Sequence, residues 1–214
     1  ARVDVRLIVD RYSDVVINDT YPNLLHCRED LQAERAATYA LYDQMRDGGI
    51  AIQRTAPPGF LGIYMLYRNH KKMVIIDETT AFVGGICVSD HNFSWHDFFV
   101  RIQGDLVKHI ARDFTSTWAG KTQSFDTAAP AGDFVLNQCA GRSSIFQHIL
   151  NLIESAQENI VIESPYLLGD QLERKLRQAA ERGVHVTLIM PFRSNQAMYR
   201  VWVRTLRKYL HHPN

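Results

Sequence analysis

Residues 70–85 read HKKMVIIDETTAFVGG, and this stretch decides more about the fold than any other part of the chain. The apolar run 73–76 is rich in branched side chains, which is typical of a strand buried on both faces of a sheet. Side chains two positions apart on a strand point to the same face, so His70 and Lys72 are predicted to reach one ligand together. Lys71 is predicted to point away from them.

An imidazole beside an ammonium group suits metal-free chemistry at a phosphodiester. The diester is anionic and repels anionic nucleophiles, whereas an imidazole with a pKa of about 6.5 can attack in its neutral form near pH 7. A lysine stays cationic and can neutralise charge on the phosphoryl oxygens. We therefore predict His70 and Lys72 as catalytic residues. Gly84 and Gly85 are predicted to let backbone amides approach the phosphate, with a plain tight turn as the alternative.

The spacing His-x-Lys-x-x-x-x-Asp followed by Gly-Gly resembles the HKD motif of the phospholipase D superfamily. The flanking residues 68–72, 81–85 and 95–104 are similar to the bacterial cardiolipin synthase branch, and residues 114–118 extend the likeness.

The resemblance adds Asp77 to the catalytic set, where its expected part is pairing with a neighbouring base or fixing the strand. Arg68 is a further substrate-binding candidate, with a solvated surface charge as the alternative. Many members carry an Asn two positions after the glycine pair. This chain has Cys87 there, which is a weak hydrogen-bond donor at best.

An internal repeat predicts how the chain is organised. Residues 3–13 align with residues 184–194 at an offset of 181, and with the motif this indicates two pseudo-symmetric lobes. The expected fold class is α/β, in the form of the phospholipase D fold with a mixed β-sheet flanked by helices. The predicted boundaries are residues 1–121 for the first lobe, 122–133 for a linker and 134–214 for the second lobe.

Both lobes are expected to be incomplete. At the spacing of the repeat, a second motif histidine would fall at roughly position 251, beyond Asn214. The elements that precede the second copy of the repeat have no counterpart before Val3. The missing motif is therefore expected from a C-terminal continuation or from a second chain.

The periodicity of apolar residues and the positions of Gly and Pro predict alternating strands and helices. Strands are predicted at 3–9, 50–54, 64–67, 73–76, 81–83, 98–102, 160–163 and 184–190. Helices are predicted at 28–46, 105–118, 143–156, 170–182 and from about 196.

Composition narrows the class of protein and its surroundings. With 214 residues, of which 46% are apolar and 22% charged, the chain can bury a substantial core. A net charge of +1 supplies no overall field for nucleic acid. Three widely spaced cysteines without Cys-x-x-Cys pairs favour reduced thiols. We expect a cytoplasmic protein, peripheral at the inner face of the cell membrane, and leave an N-terminal anchor open.

Two further segments favour contact with a membrane surface. Arg200, Arg204 and Lys208 recur at helical spacing beside aromatic residues, and residues 60–66 form an apolar stretch directly before the motif. A solvated helix face and a core strand are the respective alternatives. No metal or other cofactor is expected, because the spacing of His91 and His96 matches no recognised ligand pattern and the family needs none. Asp97 is expected to structure a turn.

The resemblance implies a phosphatidyltransferase of cardiolipin synthase type acting on a phosphatidylglycerol-like phospholipid. His70 would form a phosphohistidine while the second motif's histidine protonates the departing alcohol, so one motif alone is expected to be nearly inactive. With water as acceptor the same site would be a hydrolase. The alternatives are a single-motif nuclease acting as a dimer, which the low net charge disfavours, and a degenerate non-catalytic membrane-binding lobe.

Overall fold

The computed structural model describes residues 3–11, 28–55, 69–88, 92–120, 144–165 and 169–191. The chain divides into two compact units, residues 1–140 and residues 141–214. The predicted strand at 64–67, the predicted linker and the predicted helix from about 196 lie outside the described residues. So do Arg68 and His91.

The first unit begins with a parallel strand pair joined by a helix. Strand β1 (Arg6–Val9) pairs with β2 (Ala51–Arg54), and Arg6 lies opposite Ala51. Parallel strands need a long crossover connection, and here it contains helix α1 (Arg28–Asp47). The helix ends at Gly48 and Gly49, where Gly49 has a φ of 89° and its N–H donates to the carbonyl of Arg46 at 2.8 Å. The predicted helix and its glycine stop are confirmed.

An antiparallel sheet of three strands follows and carries the motif. Its strands are β3 (Lys72–Ile76), β4 (Thr80–Gly84) and β5 (Phe99–Gln103), in that order across the sheet. Helix α2 (Leu106–Trp118) comes directly after β5. Each of these elements lies where the sequence predicts one, within two residues at either end.

A tight turn joins β3 to β4. Asp77 and Glu78 have φ values of 51° and 52°, and the N–H of Thr79 donates to the carbonyl of Ile76 at 3.1 Å. Positive φ at both central residues is the mark of a type I′ turn, whose twist suits a hairpin. Asp tolerates this region better than most side chains, whereas Glu does not share that tolerance.

Helix α2 covers one face of this sheet. Ala81, Val107 and Ile110 are fully buried there. Partly buried apolar side chains surround them, namely Met73, Ile75, Val83, Ile102 and Leu106. The expectation that residues 73–76 are buried on both faces is wrong, since Val74 and Ile76 on the other face are 41% and 48% exposed. An antiparallel sheet needs a packed helix on only one side.

The second unit is again built around a parallel strand pair. Its elements are α3 (Ser144–Ser155), β6 (Asn159–Glu163), α4 (Asp170–Glu181) and β7 (His185–Ile189). Strands β6 and β7 are parallel, with Asn159 opposite His185. Ile153, Leu176, Ala179 and Val184 form its buried core.

One arginine joins the helices of this unit. The guanidinium of Arg182, at the end of α4, donates to the carbonyl oxygens of Ile153 and Glu154 at 3.1 and 3.0 Å. These carbonyls belong to the last turn of α3, where they lack helical partners. A cation at a helix C-terminus is also favoured by the helix dipole.

The described strands thus form three sheets, two parallel and one antiparallel, flanked by four helices. This is the α/β class, with both kinds of pairing, that the sequence predicts. Among the described helices, none combines the length and the apolar character that crossing a membrane requires.

Replacement of Ile110 by Ala is expected to lower the free energy of unfolding by about 2–5 kcal/mol, because the cavity lies between α2 and the sheet. Ile76→Ala, at a half-exposed position, is the matched control and should cost about 1 kcal/mol or less. Urea denaturation followed by circular dichroism measures both. Equal losses would contradict the assignment of the core to the α2 face.

Candidate functional site

The motif begins where β3 begins. Lys72 is the first residue of the strand, and its Nζ donates to the backbone carbonyl of His70 at 3.0 Å. His70 is exposed and Lys72 is half-buried. The structure therefore brings these two predicted catalytic residues together at one end of the strand.

Lys72 lies on the face of the sheet that is opposite α2. Met73 and Ile75 pack on the α2 side, so the alternation of a strand sends Lys72 and Val74 to the other side. His70 shares the parity of Lys72. The ammonium group of Lys72 and the backbone of His70 thus lie together at one end of β3.

Lys71 points to the α2 side, as its parity requires. Its Nζ contacts the Oδ2 atom of Asp113 at 2.6 Å and the Oγ1 atom of Thr117 at 3.3 Å. Asp113 lies on α2 and is 1% exposed. A carboxylate this deeply buried needs a charged or hydrogen-bonding partner.

Sequence reasoning missed this ion pair, because Lys71 reads as one more charge in a basic run. Two signals could have found it. Lys71 has the same parity as the apolar residues Met73 and Ile75, and Asp113 follows the buried Ile110 by three positions on α2. A charge on each of two facing apolar surfaces is the pattern of a buried pair.

The two glycines lie where β5 approaches most closely. Gly84 stands between Lys72 and Phe99 across the sheet. A Cβ atom at Gly84 would lie 2.1 Å from the carbonyl oxygen of Phe98, and one at Gly85 would lie 2.5 Å from Oδ1 of Asp97. Close approach of neighbouring backbone thus accounts for Gly84, whereas Gly85 is crowded by the side chain of Asp97.

The amide of Gly85 already has a partner, because it donates to the carbonyl of Phe98 at 3.3 Å. Asp97 in turn accepts from the N–H of Phe98 at 2.7 Å, in agreement with the expected turn role of Asp97. Binding of phosphate by the glycine amides stays a prediction. Cys87, three positions after Gly84, is half-buried and carries a free thiol.

Asp77 lies in the turn after the far end of β3. It follows Lys72 by five positions, which is about 16 Å along an extended strand. The structure therefore does not bring Asp77 to the same point as His70 and Lys72. The expected parts of Asp77, namely pairing with a neighbouring base, fixing the strand or taking part in catalysis, stay predictions.

No group of three or more His, Cys, Asp and Glu side chains suited to a metal ion occurs in the described part of the chain. A shallow groove of about 300 Å³ is present in the second unit. Among the residues that the structure describes, its lining consists of Asp170, Glu173 and Arg174.

Comparison with known proteins gives a family match over most of the chain. The family described as "Cardiolipin synthase, PLD-like domain" matches residues 2–118 and 149–212. Cardiolipin synthase A of Pseudomonas fluorescens (strain SBW25) is 28% identical over 213 residues, which cover 84% of this chain and 44% of that protein.

Two more relatives have cardiolipin synthase in their names. Cardiolipin synthase A of Pseudomonas entomophila (strain L48) is 30% identical, over 75% of this chain and 38% of that protein. Probable cardiolipin synthase YwiE of Bacillus subtilis (strain 168) is 28% identical, over 69% of this chain and 34% of that protein. The chain thus spans less than half the length of these curated relatives.

A solved structure, the polyphosphate kinase of Porphyromonas gingivalis, aligns with a TM-score of 0.49 at 18% identity. The alignment covers 87% of this chain and 26% of that one. This likeness is too distant to carry a conclusion.

Gly84→Ala is expected to lower the free energy of unfolding by about 1–3 kcal/mol, because β5 must move to admit the new methyl group. Gly48→Ala is the matched control, because a Cβ atom at Gly48 would lie 3.3 Å from its nearest neighbour, the carbonyl oxygen of Met45. This substitution should change the free energy of unfolding by about 0.5 kcal/mol or less. Urea midpoints compare the two. If Gly84→Ala leaves the free energy of unfolding unchanged, the close approach of β5 at this position does not require a glycine.

Proposed function

Because the chain belongs to the PLD-like domain family of the cardiolipin synthases, we propose that it supplies one half-site of a phosphatidyltransferase. The observation that carries this proposal is that Lys72 Nζ lies 3.0 Å from the backbone carbonyl of His70 at the start of β3, so that both motif residues lie at the same end of the strand. The family match supports the reaction class, and the geometry supports the roles of the two side chains.

In the proposed reaction, His70 attacks the phosphorus of a phosphatidylglycerol-like lipid. A nitrogen–phosphorus bond forms as the bond from phosphorus to the departing alcohol oxygen breaks. A second imidazole gives that oxygen a proton and later removes one from the acceptor hydroxyl, which attacks the phosphohistidine. Cardiolipin results when the acceptor is the glycerol of a second phosphatidylglycerol.

Lys72 stabilises the charge on the phosphoryl oxygens in this scheme. Its ammonium group lies at the edge of a sheet, on a side where only part of its stem is buried. A fixed cation beside the nucleophile acts without reorganisation during the reaction. Its contact with the backbone carbonyl of His70 keeps it next to the proposed nucleophile in the chain.

The second imidazole comes, in this proposal, from another part of the protein or from a second chain. General acid–base partners contribute about 10²–10⁴ to rate. A half-site that lacks its partner would therefore turn over slowly. Water in place of the lipid acceptor would make the same site a phospholipid hydrolase.

Contact with a membrane surface is proposed as well. Three aromatic side chains lie exposed in the segment between the glycine pair and β5, namely Phe93 at 59%, Trp95 at 50% and Phe98 at 67%. Aromatic residues favour the membrane–water boundary. Their nearness in sequence to the glycine pair suits an enzyme that draws its substrate from a bilayer. The proposed location is peripheral, at the inner face of the cell membrane.

We expect His70→Asn to abolish formation of a phosphoenzyme and to reduce lipid transfer by about 10²–10⁴-fold, since the nucleophile is lost. Lys72→Met should reduce the rate by a similar factor, because one charge-stabilising group is removed. The measurement uses ³²P-labelled phosphatidylglycerol in mixed micelles, with acid-labile, base-stable label on the protein as the sign of phosphohistidine.

Cleavage of radiolabelled DNA by the same preparations separates the lipid enzyme from a nuclease. A lipid enzyme should leave DNA intact. DNA cleavage that disappears in His70→Ala would favour the nuclease, and unchanged lipid transfer in His70→Asn would refute the assigned nucleophile.

Asp77→Asn should leave the rate of lipid transfer within about threefold of the wild-type value, because Asn tolerates positive φ and keeps the turn. Asp77→Val should lower the melting temperature instead, since a β-branched residue resists that backbone conformation. Steady-state rates and thermal melts distinguish the two effects. A large loss of rate in Asp77→Asn with an unchanged melting temperature would show that Asp77 takes part in the reaction.

A further inference from the structure

A buried ion pair connects the motif to the helix behind the sheet. Lys71, the residue between His70 and Lys72, reaches Oδ2 of Asp113 at 2.6 Å and Oγ1 of Thr117 at 3.3 Å. The Asp113 side chain is 2% exposed and that of Lys71 is 30% exposed. The residue between the two proposed catalytic groups is therefore tied to α2 at two successive turns of the helix.

This contact is made by a residue that lies outside the strand pairing. Sheet pairing begins at Lys72, which stands opposite Gly84. His70 and Lys71 precede the strand, and the N–H of Lys71 donates to Oδ1 of Asn69 at 3.1 Å. The ion pair draws the side chain of Lys71 to the α2 side.

We propose that Lys71 and Asp113 are positioning residues for the site. With Lys71 held against α2, the alternation of an extended chain sends His70 and Lys72 to the opposite side together. The pair thus keeps the imidazole and the ammonium group directed at one phosphodiester. This inference rests on the proposed function and adds a second layer of residues to it.

Apolar side chains at positions 71 and 113 could fill the space of the ion pair without fixing the orientation of residue 71. Buried ion pairs can be replaced by apolar side chains of similar volume with little loss of stability, whereas removal of one partner leaves an unpaired buried charge. The double variant K71M/D113L therefore removes the ion pair and retains the packing. K71R retains the charge and the reach, and tests for rescue.

An exposed pair on the same helix supplies the control. Lys108 Nζ donates to Oδ1 of Asp105 at 2.7 Å, and the two side chains are 65% and 92% exposed. The hydrogen bond from Lys108 lowers the pKa of the Asp105 carboxyl. K108M removes a lysine–aspartate pair that has no contact with the motif.

The experiment measures two quantities in the purified protein, namely steady-state lipid transfer and amide hydrogen exchange. K71M/D113L should lower kcat by about 10–100-fold, as small misplacements of reacting groups do, and leave KM within about threefold. Amide exchange should accelerate at residues 70–72 and remain slow at the buried residues of α2. K71R should recover most of the rate, and K108M should match the wild type in both measurements.

Unchanged kcat and unchanged exchange in K71M/D113L would overturn the proposal. So would faster exchange throughout β3–β5 and α2, since the pair would then serve stability alone. Absence of both turnover and phosphoenzyme in wild-type protein that has both half-sites would refute the proposed function instead. The exchange pattern at residues 70–72 would still decide whether the pair holds this segment.

Discussion

The packing of α2 against one face of the β3–β5 sheet is the constraint on which the motif region depends. Ala81, Val107 and Ile110 are fully buried between them, and burial of apolar area is the main favourable term in folding. Because that face is occupied by the helix, every second residue of β3 must point the other way. The cationic end of Lys72 is thereby placed on the open face by the same packing that stabilises the unit.

The buried carboxylate of Asp113 joins this core to the site. Asp113 lies among apolar residues of α2 and would be costly there without a partner. The chain meets this requirement with Lys71, from inside the motif, instead of with a cation elsewhere on the helix. The orientation of the motif is therefore coupled to the docking of α2, and the interior and the site are parts of one arrangement.

The glycine pair shows how a family pattern can have a steric origin. Gly84 and Gly85 are where β5 and Asp97 come too close for a Cβ atom. This close approach lies at the end of β4, beside the residues that lead into β5. The pair thus shapes the edge of the proposed site even before any contact with phosphate is considered. The chain spans less than half of its curated relatives, so the complementary half-site belongs to the proposal and not to the geometry described.

The sequence by itself determined the elements and the family. Apolar periodicity placed the described helices and strands within a few residues, and the spacing of His70, Lys72, Asp77 and the glycines indicated the superfamily, because these patterns are local and survive without knowledge of the neighbours.

Only the tertiary structure decided which face of β3 is covered, why each glycine is required, and where Lys71 points. Each of these depends on a contact between residues distant along the chain, such as Lys71 with Asp113 or Gly84 with Phe98. A run of branched residues has the same sequence pattern whether one face or both faces of the strand are buried. The partner that covers a face is a property of the fold and not of the strand.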